Sequence, residues 1–178
     1  MMSRIMGIDA STQKSGVAIF QDGQYITHAL IDLHKEKDIM TRIPHMINEI
    51  YAKIDEYKPN KILMEETVLS SNTDTLKKLA YLAGGIMAYA YKNDIDFHLL
   101  LPTEWRKRIG LKQSKKIKRE ILKEEAIKAV LQEYKIKVTD DEAESILIAR
   151  SGFDLPKINI IAEGAIKENN ADDGIDIE

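Results

Sequence analysis

Along the first third of the chain the apolar positions come in short extended runs. Ile5, Met6 and Ile8 precede an acid, Asp9, and Val17 to Phe20 form a second run after the small and polar residues Ser11, Thr12 and Gly16. That pattern predicts two strands joined by a turn, with a carboxylate at the mouth of the hairpin. Asp22-Gly23 then predicts a tight turn into a third strand over 25–33. Beyond it the period changes. Ile39, Ile43, Ile47, Ile50 and Ile54 recur every three or four residues, which predicts a helix, with Pro44 expected to start or kink its regular part. A short apolar strand over 61–64 ends on Glu65-Glu66. A second helix is predicted over 73–92, where Ala80, Ala83 and Ala88 allow close packing and Gly84-Gly85 is the weak point. A fifth strand follows over 96–101. Thr103 is expected to cap a short helix ended by Gly110, residues 114–134 read as a long charged helix, and Thr139 with Glu142 forms a capping box for a last helix.

Three strands, a helix, a strand, a helix and a strand, followed by further helices, predict an α/β fold. Its mixed five-stranded sheet has its first three strands antiparallel and is flanked by helices. At 178 residues the chain fits one domain, expected over 1–155. The acidic stretch 156–178 is expected to be a mobile C-terminal tail.

Composition narrows the chemistry. There is no cysteine, which excludes disulfides and thiolate metal sites and leaves oxygen or histidine ligands for any metal. No apolar run approaches a bilayer span and the N-terminus does not read as a signal peptide, so a cytoplasmic protein with no membrane partner is expected. The net charge of -3 hides an asymmetry. Residues 106–119 hold eight Lys or Arg and no acid; residues 102–137 hold twelve basic and five acidic residues, a net +7 that leaves -10 for the rest. Such a segment marks a polyanion partner. Phosphate contacts are expected from Arg106, Lys107, Arg108, Lys112, Lys115, Lys116, Lys118 and Arg119, although a solvated helix face is the plain alternative.

The acids then acquire meaning. Asp9 stands on the first strand, Glu65 ends the fourth, and Asp141 and Glu144 lie three apart on the last helix, hence on one face. If the first and fourth strands are neighbours, these carboxylates meet at one sheet edge, where they repel unless a cation binds between them. Oxygen ligands select Mg²⁺, with Mn²⁺ as a substitute, and two such ions per site can drive in-line hydrolysis of a phosphodiester.

The segments GIDAST, ILMEETVLSSNTDTLKKLAYLAGGI and DDEAESILIA resemble the RuvC family of Holliday junction resolvases, within the RNase H-like superfamily, over residues 4–152. The resemblance implies an RNase H-like fold and a crossover junction endodeoxyribonuclease acting in recombination, repair or phage DNA processing. By motif it implies that Asp9, Glu65, Asp141 and Glu144 are the catalytic, metal-holding acids. Glu144 stands where an aspartate is commoner, and Asp140 is an alternative partner for the cluster. The family's aromatic wedge after the strand-four glutamate is replaced by Glu66, Thr67, Val68 and Leu69, which removes a stacking surface. Compact size and the PTEWR segment resemble small phage-encoded members, for which the cytoplasm is that of a bacterial host. Branched DNA and a homodimer with two symmetric sites are the expected partners.

Two other classes stay open at this level: a branched-DNA binding module without catalysis, and a phosphate-loop ATPase-like protein, for which the chain lacks a second loop and domain. Glu66 is expected on the opposite side of its strand, Trp105 as a core anchor and His98 as a structural histidine. A lysine that assists at the scissile phosphate, Lys115 or Lys116 among the candidates, is left unassigned.

Overall fold

The computed structural model describes residues 2–67, 72–111 and 116–160. β1 (Arg4–Asp9), β2 (Lys14–Gln21) and β3 (Gln24–Asp32) form an antiparallel meander. Asp22 and Gly23 both take positive φ, 49° and 82°, the twist that a two-residue hairpin needs. α1 (Ile39–Tyr57) starts at Asp38, whose carboxylate accepts the Thr41 N–H at 2.8 Å. Pro44 neither starts nor ends it: it stands sixth in the helix, past the first turn where a proline loses no backbone bond, and the regular turns continue beyond it.

β4 (Lys61–Glu65) lies parallel beside β1, and β5 (Asp96–Leu100) parallel beside β4, giving a five-stranded sheet of order β3-β2-β1-β4-β5. α2 (Thr73–Lys92) runs unbroken through Gly84-Gly85. At Gly85 the missing side chain is filled by Ile47, whose Cδ1 would lie 2.6 Å from a Cβ, and the Gly85 carbonyl accepts the Tyr51 hydroxyl. α3 (Pro102–Ile109) begins two residues earlier than a Thr103 cap implies, because Leu101 is the cap and Pro102 takes the first helical position, and Gly110 ends it at φ 90°. α4 (Arg119–Tyr134) is shorter than the pattern predicts, its cap being Lys118. α5 (Asp140–Arg150) opens on the expected Thr139/Glu142 capping box.

Strand alternation sends successive side chains to opposite layers. Met6, Ile8, Val17, Ile19, Ile62 and Met64 meet α1 and α2 in an aliphatic layer. Ile5, Ala18, Phe20 and Leu63 meet α3, α4 and α5 in the other. Just past the expected domain end at 155, Ile158 is buried in that second layer and its N–H donates to the Ile109 carbonyl at 2.8 Å. The remainder of the acidic tail, 161–178, lies outside the described residues. Among the described residues no helix is long and apolar enough to cross a membrane.

Candidate active site

The same alternation places the acids. Ile5, Gly7 and Asp9 face the α5 layer in turn, as do Leu63 and Glu65 on the neighbouring strand. Glu66 falls on the opposite parity and is exposed. α5 reaches this surface through two glycines. A Cβ on Gly7 would stand 2.3 Å from the Ser145 carbonyl oxygen and 2.4 Å from the Ala149 nitrogen. Gly16 pairs with Asp9 across the β1–β2 ladder, and a Cβ there would stand 2.0 Å from the Asp141 carbonyl oxygen. Gly16 is therefore not a turn residue, as its sequence neighbours suggest. It is the bare spot on β2 where the first turn of α5 rests, which holds Asp141 over Asp9.

The two glutamates are held differently. Trp105, fully buried on α3, donates its indole N–H to Glu65 Oε2 at 2.7 Å. Its neighbour Arg106, only 2% exposed, donates from Nη2 to Glu144 Oε1 at 2.8 Å and to the Leu122 carbonyl at 3.3 Å. The Arg106 guanidinium lies 4.6 Å from the Trp105 ring centre, so the indole and the guanidinium stack as one unit behind the two carboxylates.

The four acids feel one another. Asp9 is held well above the usual carboxylate range, first by burial and then by the charges of Glu144, Glu65 and Asp141, with Lys123 opposing. Burial, then Glu144, pushes Glu65 up to about 7 against the pull of Trp105 and Arg106. Burial and then Asp140 raise Asp141. Asp140 is paired with Lys123 and its carboxyl is lowered, so Asp140 is engaged away from the cluster. This geometry favours Asp141 over Asp140 as the acid beside Asp9.

The chemistry of this donor set fits a hard divalent cation: only carboxylate oxygens, mutually repelling, in a site that penalises their charge. Among the described residues no three acidic or histidine side chains stand in coordinating positions. The bonds from Trp105 and Arg106 draw Glu65 and Glu144 toward α3, which is a physical reason for that separation.

Asp9 and Asp141 open onto a cleft of about 470 Å³ whose walls also carry Lys14, Arg42, Lys78, Arg119 and Lys123. Of the predicted basic run, Arg119 alone reaches this cleft among the described residues. Arg106, expected among the phosphate contacts, is buried and ion-paired with Glu144. Lys107 borders a separate depression with Lys157. Arg108, Lys116 and Lys118 are exposed, and Lys112 and Lys115 lie outside the described residues. His98 pairs with Asp96 at 2.8 Å on the exposed side of β5. Sequence reasoning passed over Lys14, Arg42, Lys78 and Lys123. For Arg42 a signal existed, since it shares with Met46 and Ile50 the buried face of α1, where an unpaired charge is unusual.

Known proteins resemble this chain in sequence and in fold. The family model described as crossover junction endodeoxyribonuclease RuvC matches residues 5–150. A curated relative of that name from Xylella fastidiosa is 28% identical over 102 residues, covering 54% of this chain and 59% of the relative, so the chain spans under two thirds of that relative's length. Among solved structures, Thermus thermophilus RuvC in complex with Holliday junction substrate aligns with a TM-score of 0.66 at 12% identity, over 84% of this chain and 91% of that one. The yeast mitochondrial Holliday junction resolvase aligns with a TM-score of 0.55 at 17% identity, over 84% of this chain and 77% of that one. At these identities the structural likeness is one of fold.

Proposed function

The chain belongs to the RuvC family, and from that premise we propose that it is a metal-dependent, structure-selective endonuclease that hydrolyses phosphodiesters in four-way or otherwise branched DNA. The observation that carries this reading is that Asp9 and Glu65, at the carboxyl ends of β1 and β4, face Asp141 and Glu144 of α5, and that burial and mutual repulsion raise Asp9, Glu65 and Asp141 beside a cationic cleft.

Asp9, Glu65, Asp141 and Glu144 are the residues that would hold Mg²⁺ or Mn²⁺, two ions per site in this reading. Such ions, when bound, supply an activated water and stabilise the leaving oxygen. The protein's own contribution is position and charge. The glycine contacts hold Asp141 over Asp9, Trp105 and Arg106 orient the two glutamates, and Arg119 and Lys123 on the cleft wall take backbone phosphates so that the reacting one is brought over the acids. Where an aromatic wedge would follow Glu65, this chain has Glu66 and Thr67, which fits broad action on branched DNA better than base-specific cutting.

A homodimer fits a substrate with two strands to cut symmetrically. Support comes from α2, whose outward face carries Ala80, Gly84, Met87 and Tyr91 at coiled-coil spacing, Met87 being 50% and Tyr91 85% exposed. The site of action in this reading is the cytoplasm.

The test is cleavage, with Mg²⁺, of a four-way junction beside a linear duplex of the same sequence. Cutting confined to the junction supports the reading. Junction binding without cutting returns the protein to a binding module, and equal cutting of both substrates removes structure selectivity.

A further inference from the structure

Arg42 has no part in the carboxylate cluster and lies far in sequence from the basic run, yet it stands in the wall of the same cleft. It is 8% exposed, and its side chain is only partly satisfied: Nη1 donates to the Glu36 carbonyl at 2.6 Å, while the buried Nε has no partner. No ion pair joins Arg42 to a carboxylate among the described residues, in contrast to Lys14 with Asp32, Lys78 with Asp74 and Lys123 with Asp140. A buried guanidinium with an unmet donor and no carboxylate in ion-pair contact, Asp38 feeling its charge only from farther off, gains from an anion that completes it. Its planar fork suits the paired oxygens of a phosphodiester.

The position is as informative as the burial. Arg119 and Lys123 reach the cleft from α4, which packs on the α5 side of the sheet. Arg42 reaches it from α1, on the opposite side. The floor between them is the end of β1 with Asp9 and the connection to β2. A DNA strand laid over Asp9 therefore has cations on both flanks, supplied by two different helical layers.

We infer that Arg42 is a phosphate anchor for the DNA strand running through the active-site cleft, gripping the backbone on the α1 side of the carboxylates while Arg119 grips it on the α4 side. The inference rests on the nuclease reading for its ligand, but the contact is with backbone phosphate and is therefore indifferent to branching. It makes the cleft a two-sided clamp in which the reacting phosphate is set over Asp9 by its neighbours.

The experiment measures DNA affinity without divalent metal, across a range of NaCl concentrations, for wild type, Arg42→Gln, Arg42→Lys and Lys53→Ala, a half-buried control on the same helix that pairs with Glu56 and does not line the cleft. The substrates are a four-way junction and single-stranded DNA, and thermal melting is followed alongside. Arg42→Gln is expected to bind both DNAs about tenfold more weakly, the loss of one charged hydrogen-bonded contact. Its log-affinity against log-salt slope should flatten by about 0.7 to 0.9, one phosphate contact. Arg42→Lys should restore the slope, and Lys53→Ala should match wild type. An Arg42→Gln protein that binds with wild-type affinity and slope overturns the inference, whatever its melting temperature, because Arg42 is then structural only. A wild type that binds no DNA overturns both the inference and the nuclease reading. Weaker binding of both DNAs by Arg42→Gln, beside a wild type that binds the junction no better than single-stranded DNA, keeps Arg42 as an anchor and overturns the structure-selective reading alone.

Discussion

The two halves of the carboxylate cluster are built by opposite means. Asp9 and Asp141 are brought together by backbone: Gly16, opposite Asp9 in the ladder, leaves the room in which the Asp141 main chain rests. Glu65 and Glu144 are brought together by side chains, the indole of Trp105 and the guanidinium of Arg106. A position set by main-chain contact has no conservative repair, since any Cβ displaces the helix. A position set by a side-chain hydrogen bond can be weakened in steps.

That contrast can be broken most forcefully at Arg106. Arg106→Ala leaves Glu144 without its buried partner and is expected to cost about 3 to 5 kcal/mol in denaturant unfolding. Junction cutting should fall about 10- to 100-fold, the usual effect of removing a group that orients a metal-holding side chain. Arg106→Lys keeps a cation but loses the fork, and should lie between wild type and alanine in both measurements.

On the backbone-held side, Gly16→Ala must push the Asp141 carbonyl away, at about 3 kcal/mol for an overpacked contact. A shift of about 1 Å at Asp141 should lower the cutting rate about 100-fold at saturating DNA, with junction affinity unchanged. No substitution at position 16 should rescue it, whereas the Arg106 series should be graded.

A third effect concerns charge. Glu65 is raised from 4.5 to about 7, so the folded protein holds its proton over a pH range in which the unfolded chain has lost it. Its ionisation therefore costs stability that is lost as pH rises from about 4.5 through 7, at most about 3 kcal/mol by pH 8. In the absence of metal, Glu65→Gln should melt higher than wild type at pH 8 and alike at pH 4.5. Equal melting at both pH values would show that Glu65 is not penalised. Smallest is Trp105→Phe, which keeps an aromatic ring but loses the pyrrole half of the indole and with it the N–H bond to Glu65. About 1.5 kcal/mol and about a tenfold slower cut are expected.

Much of the frame was legible in the sequence because its signals are local. The Asp22-Gly23 turn, the Thr139/Glu142 capping box and the apolar period of α1 each depend on a few adjacent residues. The candidate acids were legible too, since strand ends and helix spacing fall out of those elements. What escaped depends on contacts between distant segments. Gly16 reads as a turn residue until α5 is laid on it, and Arg106 reads as one more cation in a basic run until Glu144 is found behind it. Charge is written in the sequence, but burial is not. The same blindness hid Arg42, whose cleft is assembled from both sides of the sheet, and hid Ile158, which docks where the sequence turns acidic and sparse.

The proposed function requires the carboxylate cluster to be a divalent-metal site that cuts DNA. Its most direct test is single-turnover cleavage of a labelled four-way junction by wild type and by Asp9→Asn, with and without Mg²⁺, and with junction affinity measured alongside in EDTA. Expected are Mg²⁺-dependent cutting by wild type, no cutting by Asp9→Asn, and equal affinity for the two proteins. Cutting by Asp9→Asn at the wild-type rate, or wild-type cutting that persists in EDTA, would contradict the proposed function.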